Sequence, residues 1–315
     1  VDAIEPEWFY QTGDYVNSVA ISADGEHIAA GGWDDKVYLF DKDSSTPLWT
    51  YDIGDDLNIV TISADGEYIV AGSDDNKVHL FNKDSSTPLW SYETNGDIYS
   101  VAISADGEYI VGSGKDKKVY LFDKDSSTPI WNYNTGNTVR SVDISADGEY
   151  IVAGSNEDKI FLFDKDSGTP LWTYDTGDNV KPVAISSDGK YISTGSDGGV
   201  FYTFKNNLAS RPSVIPYGPR SGTELNSPIL RWFTGSDDLS NLTFDVYLDT
   251  NTNPTTKIAN NITSLTYSPT NLVNATKYYW KIVATDPSGS KTSSIMNFTY
   301  LNSIPVATIT SISPQ

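Results

Sequence analysis

The sequence predicts an all-β chain of two modules, a five-bladed β-propeller followed by a β-sandwich. Three observations carry this reading: a motif that recurs every 41 residues in five copies, an acid content of 33 Asp among 42 acidic residues, and alternating apolar segments that continue beyond residue 204 without the repeat. Asp is a turn and cap residue far more than a helix-face residue, so the composition points away from helix.

The repeat is marked by a Ser-x-Asp-Gly tetrad with its Asp at Asp24, Asp65, Asp106, Asp147 and Asp188, and by Trp8, Trp49, Trp90, Trp131 and Trp172, each followed two residues on by Tyr. In one unit, residues 18–22 (S-V-A-I-S) read as a first strand and Ala23-Asp24-Gly25 as a tight hairpin turn. Residues 27–31 form the second strand, Trp33-Asp34-Asp35 a short loop, 36–40 the third strand, 41–47 a turn and 48–51 the fourth strand. Four strands per ~40 residues is the period of a propeller blade. The N-terminus supplies only a fourth strand, 8–12, and the last copy only three, 183–186, 191–195 and 200–204. The expectation is therefore a closed five-bladed ring over residues 1–204, with the N-terminal strand completing the last blade and hiding the sheet edges.

At 205–219 the periodicity stops and Pro, Asn and Ser accumulate, which reads as a linker. Apolar strands at 229–233, 244–248, 257–259, 265–268, 278–285 and 295–301 then predict a β-sandwich over 220–302, and 303–315 reads as a linker opening a further domain.

Net charge is −21, divided as −23 up to Phe204 and +2 beyond it. Such a negative face repels nucleic acid and anionic membrane surfaces, so neither is an expected partner. The absence of Cys removes disulfides and thiolate chemistry, and no apolar run approaches the ~18 residues of a spanning helix. The start at Val1, without Met or a signal segment, leads us to expect a mature or trimmed form.

Residues Gly72-Ser73-Asp74 to Val78-His79-Leu80-Phe81 resemble WD-repeat proteins, and Leu39-Phe40-Asp41 to Trp49 are similar to the tryptophan-docking motif of pyrroloquinoline-quinone-type propellers, with Ser44-Ser45 in place of Thr-Gly. The cofactor residues of those quinoproteins find no match, so the resemblance implies the fold without the quinone. Leu272, Asn274-Ala275-Thr276, Tyr278 and Trp280 to Ala284 resemble the Leu-to-Tyr corner of fibronectin type III domains, with Trp232 as the early core Trp. The segment Pro305 to Pro314 is similar to the opening strand of a polycystic-kidney-disease-type domain. The whole arrangement resembles large surface proteins of methanogenic archaea.

His27 and His79 stand where other copies carry Tyr or Phe and read as packing residues. Asp41 and Asp43, repeated as Asp123, Asp125, Asp164 and Asp166, read as turn caps, with Ca2+ as the alternative because spaced oxygens suit a hard cation. Copies differ most on the rim formed by the loops before the first and third strands. There Trp33, Asn58, Tyr99, Lys115, Arg140 and Lys181 make an asymmetric candidate binding face of types enriched in hot spots. Asp143 replaces Ala20, Thr61, Ala102 and Ala184 near the axis and needs a partner, for which Arg140 is the candidate. Four glycosylation sequons, at Asn241, Asn261, Asn274 and Asn297, all fall in the second module. The expected function is a non-enzymatic extracellular scaffold or adhesion protein that meets protein or glycan of the cell envelope. The alternatives are a cation-bridged surface-layer, sheath or filament subunit capable of self-assembly and, further off, a quinoprotein- or glycosidase-like enzyme.

Overall fold

A computed structural model of the chain describes residues 5–207, 214–219, 222–234, 241–286 and 289–301. The chain divides into two compact units, residues 1–213 with 234–236, and residues 214–233 with 237–315.

In the first unit each repeat forms one antiparallel sheet. The first sheet contains β1 (Val16–Ile21), β2 (His27–Gly32), β3 (Lys36–Asp41) and β4 (Trp49–Asp52), hydrogen-bonded in chain order. The second contains β5 (Leu57–Ile62), β6 (Tyr68–Ser73), β7 (Lys77–Asn82) and β8 (Trp90–Glu93). The third is β9 (Ile98–Ile103), β10 (Tyr109–Gly114), β11 (Lys118–Asp123) and β12 (Trp131–Asn134), and the fourth β13 (Val139–Ile144), β14 (Tyr150–Ser155), β15 (Lys159–Asp164) and β16 (Ser167–Asp175). The fifth has three strands, β17 (Val180–Ile185), β18 (Tyr191–Ser196) and β19 (Phe201–Lys205). These repeated sheets make the unit a β-propeller, as the sequence predicts.

The turn between the first two strands is built by the tetrad itself. Ser22 Oγ donates to Asp24 Oδ1 at 2.6 Å, the Glu26 N–H donates to the same oxygen, and Gly25 takes the positive φ (74°) that an L side chain avoids. Neighbouring blades are joined in three ways. Each fourth-strand Trp lies on the third-strand Phe of the next blade, as in Trp49 on Phe81 at 5.4 Å, and Nε1 of Trp49, Trp90 and Trp131 donates to a backbone carbonyl there, as to Lys83 O at 2.8 Å. Backbone bonds run around the axis from Ala23 to Ala64, Ala105, Ala146 and Ser187 at 3.0–3.1 Å. Apolar residues fill the space between, so that Val37 and Leu39 of one blade share a core with Leu57, Val60 and Phe81 of the next.

The closing strand is where the expectation fails. Residues 8–12 form no strand, and β19 pairs only with β18. Trp8 and Tyr10 are held by the first blade, with Trp8 on Phe40 at 5.4 Å and its Nε1 donating to Lys42 O at 2.7 Å. The segment thus occupies the place that a preceding blade's fourth strand would take. Val19 is 67% exposed, whereas its repeat equivalents Val60, Val101, Val142 and Val183 lie at 3–9%. On the fifth blade, Ser193 and Thr203 replace the alanine, valines and leucines that the other blades bury completely, so a closing contact would bury hydroxyls against Val19 and Ile21. A polar outer face of this kind suits a terminal repeat.

The second unit packs two sheets over one core. One sheet joins β20 (Ile215–Gly218), β22 (Leu230–Phe233) and β25 (Thr266–Tyr267). The other runs β21 (Thr223–Leu225), β28 (Met296–Tyr300), β26 (Thr276–Asp286), β23 (Thr243–Asp249) and β24 (Lys257–Ile262), with β27 (Gly289–Thr292) paired to β26. Trp232, Trp280, Phe244 and Phe298 fill the core between them. β20 corrects the linker reading of 205–219. It is an edge strand paired only with β22, so Pro216 is tolerated despite its missing N–H. The segment 303–315 and its resemblance to a further domain lie outside the described residues.

Val60→Ala is expected to lower the unfolding free energy by about 2 kcal/mol, while Val19→Ala, at the same repeat position, stays within about 0.5 kcal/mol. Urea titration of both variants checks this; equal losses would show that the first blade is covered in solution.

Candidate functional site

Two rims of the propeller are distinguished by their backbone bonds. On one, the turn after each third strand meets the Asp-Gly turn of its own blade, as Lys83 N meets Glu67 O at 2.9 Å. On the other, the loop before each first strand meets the turn before the third, through Trp33 N to Tyr15 O, Asp74 N to Asp56 O, Lys115 N to Asp97 O, Asn156 N to Thr138 O and Asp197 N to Asn179 O. This second rim carries all six predicted binding residues.

The structure brings three of them together. The Arg140 guanidinium lies 4.8 Å from the Tyr99 ring centroid, Tyr99 Oη donates to Asp97 Oδ2 at 3.2 Å, and Lys115 Nζ donates to the same oxygen at 3.0 Å. Burial alone would raise Asp97, but the bonds from Lys115 and Tyr99 outweigh it and hold its carboxyl below the ordinary range. Burial and the charge of Asp97 push the Tyr99 phenol up. Arg140 is the one arginine before residue 204; its charge helps to lower the Asp197 carboxyl, with no carboxylate oxygen within salt-bridge distance among the described residues. Lys181 is engaged separately, by Asp197 at 2.7 Å. Trp33 stands half-exposed with its ring edge-on to Tyr15 at 5.2 Å. Asn58 is turned into the framework, donating to Asp74 Oδ1 at 2.6 Å and to Ile98 O at 3.0 Å. Its role is to join two blades.

The same rim is acidic over the first two blades, which sequence reasoning missed. Carboxylate oxygens of Asp35, Asp55 and Asp56 lie within 4.8 Å of one another. Desolvation first, and then the charges of Asp35, Asp55, Asp74 and Asp14, raise the Asp56 carboxyl. The rim therefore carries an acidic arc and an aromatic-cationic arc. Their separation was hidden because the acids belong to loops distant in sequence.

The acids of the opposite rim behave as turn residues. Asp41, Asp123 and Asp164 each accept the N–H two residues on, at 2.8–2.9 Å, while Asp43, Asp125 and Asp166 each pair with the lysine between them. Asp143 corrects the expected partnership with Arg140: its Oδ1 accepts the Ile144 N–H and its Oδ2 the Ile185 N–H, both at 2.9 Å. Arg140 is the unpaired residue of a β-bulge between Val139 and Ser141, which leaves its side chain exposed and over the Tyr99 ring.

His79 has more structure around it than an aromatic replacement would. Its Nε2 meets Asp75 Oδ2 at 2.9 Å and its Nδ1 meets Ser91 Oγ at 2.8 Å. Tyr38 and Tyr120 donate to Asp34 and Asp116 from the same repeat position, both at 2.5 Å, so the Ser91–His79–Asp75 chain is a variant of a bond that holds the turn. Of the sequons, Asn241, Asn261 and Asn274 are exposed and Asn297 is less so.

Residues 33–187 match the family described as outer membrane protein assembly factor BamB, and residues 8–41 match the WD domain, G-beta repeat. No curated protein matches the chain. Both matches fall in the first unit and support a WD-repeat- and quinoprotein-like β-propeller there. No helix among the described residues is long and apolar enough to cross a membrane.

Burial works against the charge on Asp75, but bonds from His79 and Ser73 leave its carboxyl below the ordinary value. The resulting stabilisation is present above the unfolded carboxylate pKa of about 4 and is lost as the pH falls through the lower folded value. Asp75→Asn is expected to flatten the acid limb of stability between about pH 5 and about pH 2. Urea midpoints across that range test it, and an unchanged slope would contradict the assignment.

Proposed function

We propose that this chain is a non-enzymatic, extracellular scaffold or adhesion protein, whose variable propeller rim is the recognition face toward protein or glycan of the cell envelope. The observation that carries this is the cluster of Tyr99, Lys115 and Arg140 on one arc of an otherwise acidic propeller. Arg140 is held by stacking, which leaves its planar donors open to a carboxylate or carbonyl of a partner. Aromatic and arginine side chains on a rigid frame lose little entropy on binding. The family matches support the scaffold reading, since WD repeats generally mediate protein interactions and the other matched family is described by a role in assembly.

The second unit acts as a spacer of fibronectin type III kind. The Val273 N–H donates to Tyr278 Oη at 2.9 Å, which supports the tyrosine corner that the sequence resembles. Exposed sequon asparagines on this unit fit a glycosylated surface segment.

A second reading is a surface-lattice subunit bridged by divalent cations. It is favoured by the Asp35, Asp55 and Asp56 group together with the exposed Val19 and Ile21 of the first blade. Chelation by EDTA then dissolves the assembly, whereas an adhesin stays bound.

Retention on isolated envelope fractions tests the first reading. Alanine at Trp33, Tyr99 and Arg140 together is expected to weaken it by roughly tenfold or more; full retention by the triple variant rules out the rim.

A further inference from the structure

At the Asp-Gly rim, opposite the proposed recognition face and independent of it, a cavity of about 320 Å³ opens on the propeller axis. Its wall repeats with the blades: Ile21, Ile62, Ile103, Ile144 and Ile185 form a collar, and an alanine or Ser187 follows two residues after each. Asp143 is the only charged residue in the lining. The other four copies carry Ala or Thr at its position, so the carboxylate is an addition that the repeat fold does not require.

Its surroundings leave that charge without a counter-ion. Each carboxylate oxygen accepts one backbone N–H, from Ile144 and from Ile185, and among the described residues no Lys, Arg or His bonds to it. A carboxylate offers about four acceptor positions, so roughly half remain unused. Burial raises the Asp143 carboxyl above its ordinary value in spite of the two N–H bonds. A neighbouring cation would relieve this cost.

We propose that the axial cavity binds a primary alkylammonium group, with Asp143 as the counter-charge to the ammonium and the isoleucine collar around the hydrocarbon stem. A hard metal ion is a poor fit, because it takes six to eight oxygen ligands and this wall offers one carboxylate. An ammonium is compact, carries three donors and brings an apolar chain. The strongly negative charge of residues up to 204 draws cations toward the mouth. Two sources present this chemistry, a free amine and the side chain of a lysine on another protein.

The test is calorimetric and NMR titration of the full chain with n-butylammonium chloride, with n-butanol as the neutral isostere, and with a capped tripeptide holding one central lysine. Saturable binding of n-butylammonium is expected, with shifts at the Ile144 and Ile185 amides and affinity at least about tenfold above that for n-butanol, the ratio for one charge-assisted contact. Tighter binding of the lysine peptide supports the proposal with a protein source, and binding of the free amine alone supports it with a small-molecule source. Asp143→Asn is expected to lose about tenfold. Asp143→Ala, which restores the residue found at Ala20, Ala102 and Ala184, is expected to do the same with an unchanged melting temperature. Equal affinity for n-butanol and n-butylammonium, undiminished binding by the folded Ala variant, or no binding of either cation would overturn it.

Discussion

Everything in the first unit hangs on a tryptophan that belongs to one blade and is bonded by the next. Trp49, Trp90 and Trp131 each place a ring on the following Phe at 5.2–5.4 Å and donate Nε1 to a carbonyl 34 residues on at 2.8 Å. The ring supplies large apolar contact, and the N–H fixes its orientation. A single blade cannot bury its apolar faces alone. Docked in series, each sheet gains a covered face, and the tryptophan bond adds to the axial backbone bonds and the shared apolar core in setting register between blades.

That division of labour explains why the two rims differ. The Asp-Gly rim is consumed by structure: Ser, Asp and Gly close each hairpin, and a lysine of the next turn neutralises an acid beside it. Side chains on that rim have little freedom to change. The other rim is joined mainly through backbone groups, as in Lys115 N to Asp97 O, so its side chains can vary without loss of the loop. Divergence among copies there is permitted by the bonding pattern and becomes available for recognition.

The fold was largely legible because it is periodic. Strand positions, the tetrad turn and the assignment of loops to rims all follow from spacings that recur. Legibility fails wherever a residue acts through a contact that the period does not encode. Residues 8–12 share the Trp-x-Tyr of a fourth strand and do dock as one, yet pairing with β19 depends on a fifth blade whose Ser193 and Thr203 face outward. β20 was hidden by Pro216, which signals a break unless the strand is known to lie on an edge. On the candidate site, Tyr99 and Arg140 come from equivalent positions on β9 and β13 and Lys115 from the loop after β10, and their convergence was implied only by a shared rim. Asn58 looked the same in sequence and proved to be a bridge, since short amides satisfy backbone groups as readily as partners. Asp143 announced itself as an exception, but its bonds to two N–H groups rather than to Arg140 accompany a β-bulge at residue 140 that regular strand alternation does not encode.

The bonds between blades that recur from unit to unit span 34, 40, 41 or 42 residues. Each is therefore a relation between a residue and its neighbour one unit along, with no reference to how many units there are. Removing or duplicating a stretch of 41 residues inside the array would leave every remaining junction with its proper partner. Such a chain can alter its number of blades in one genetic step, with no compensating substitution, while point changes accumulate on the free rim. Blade count and surface character are thus separate variables for evolution, and the tryptophan bond is what makes them separable.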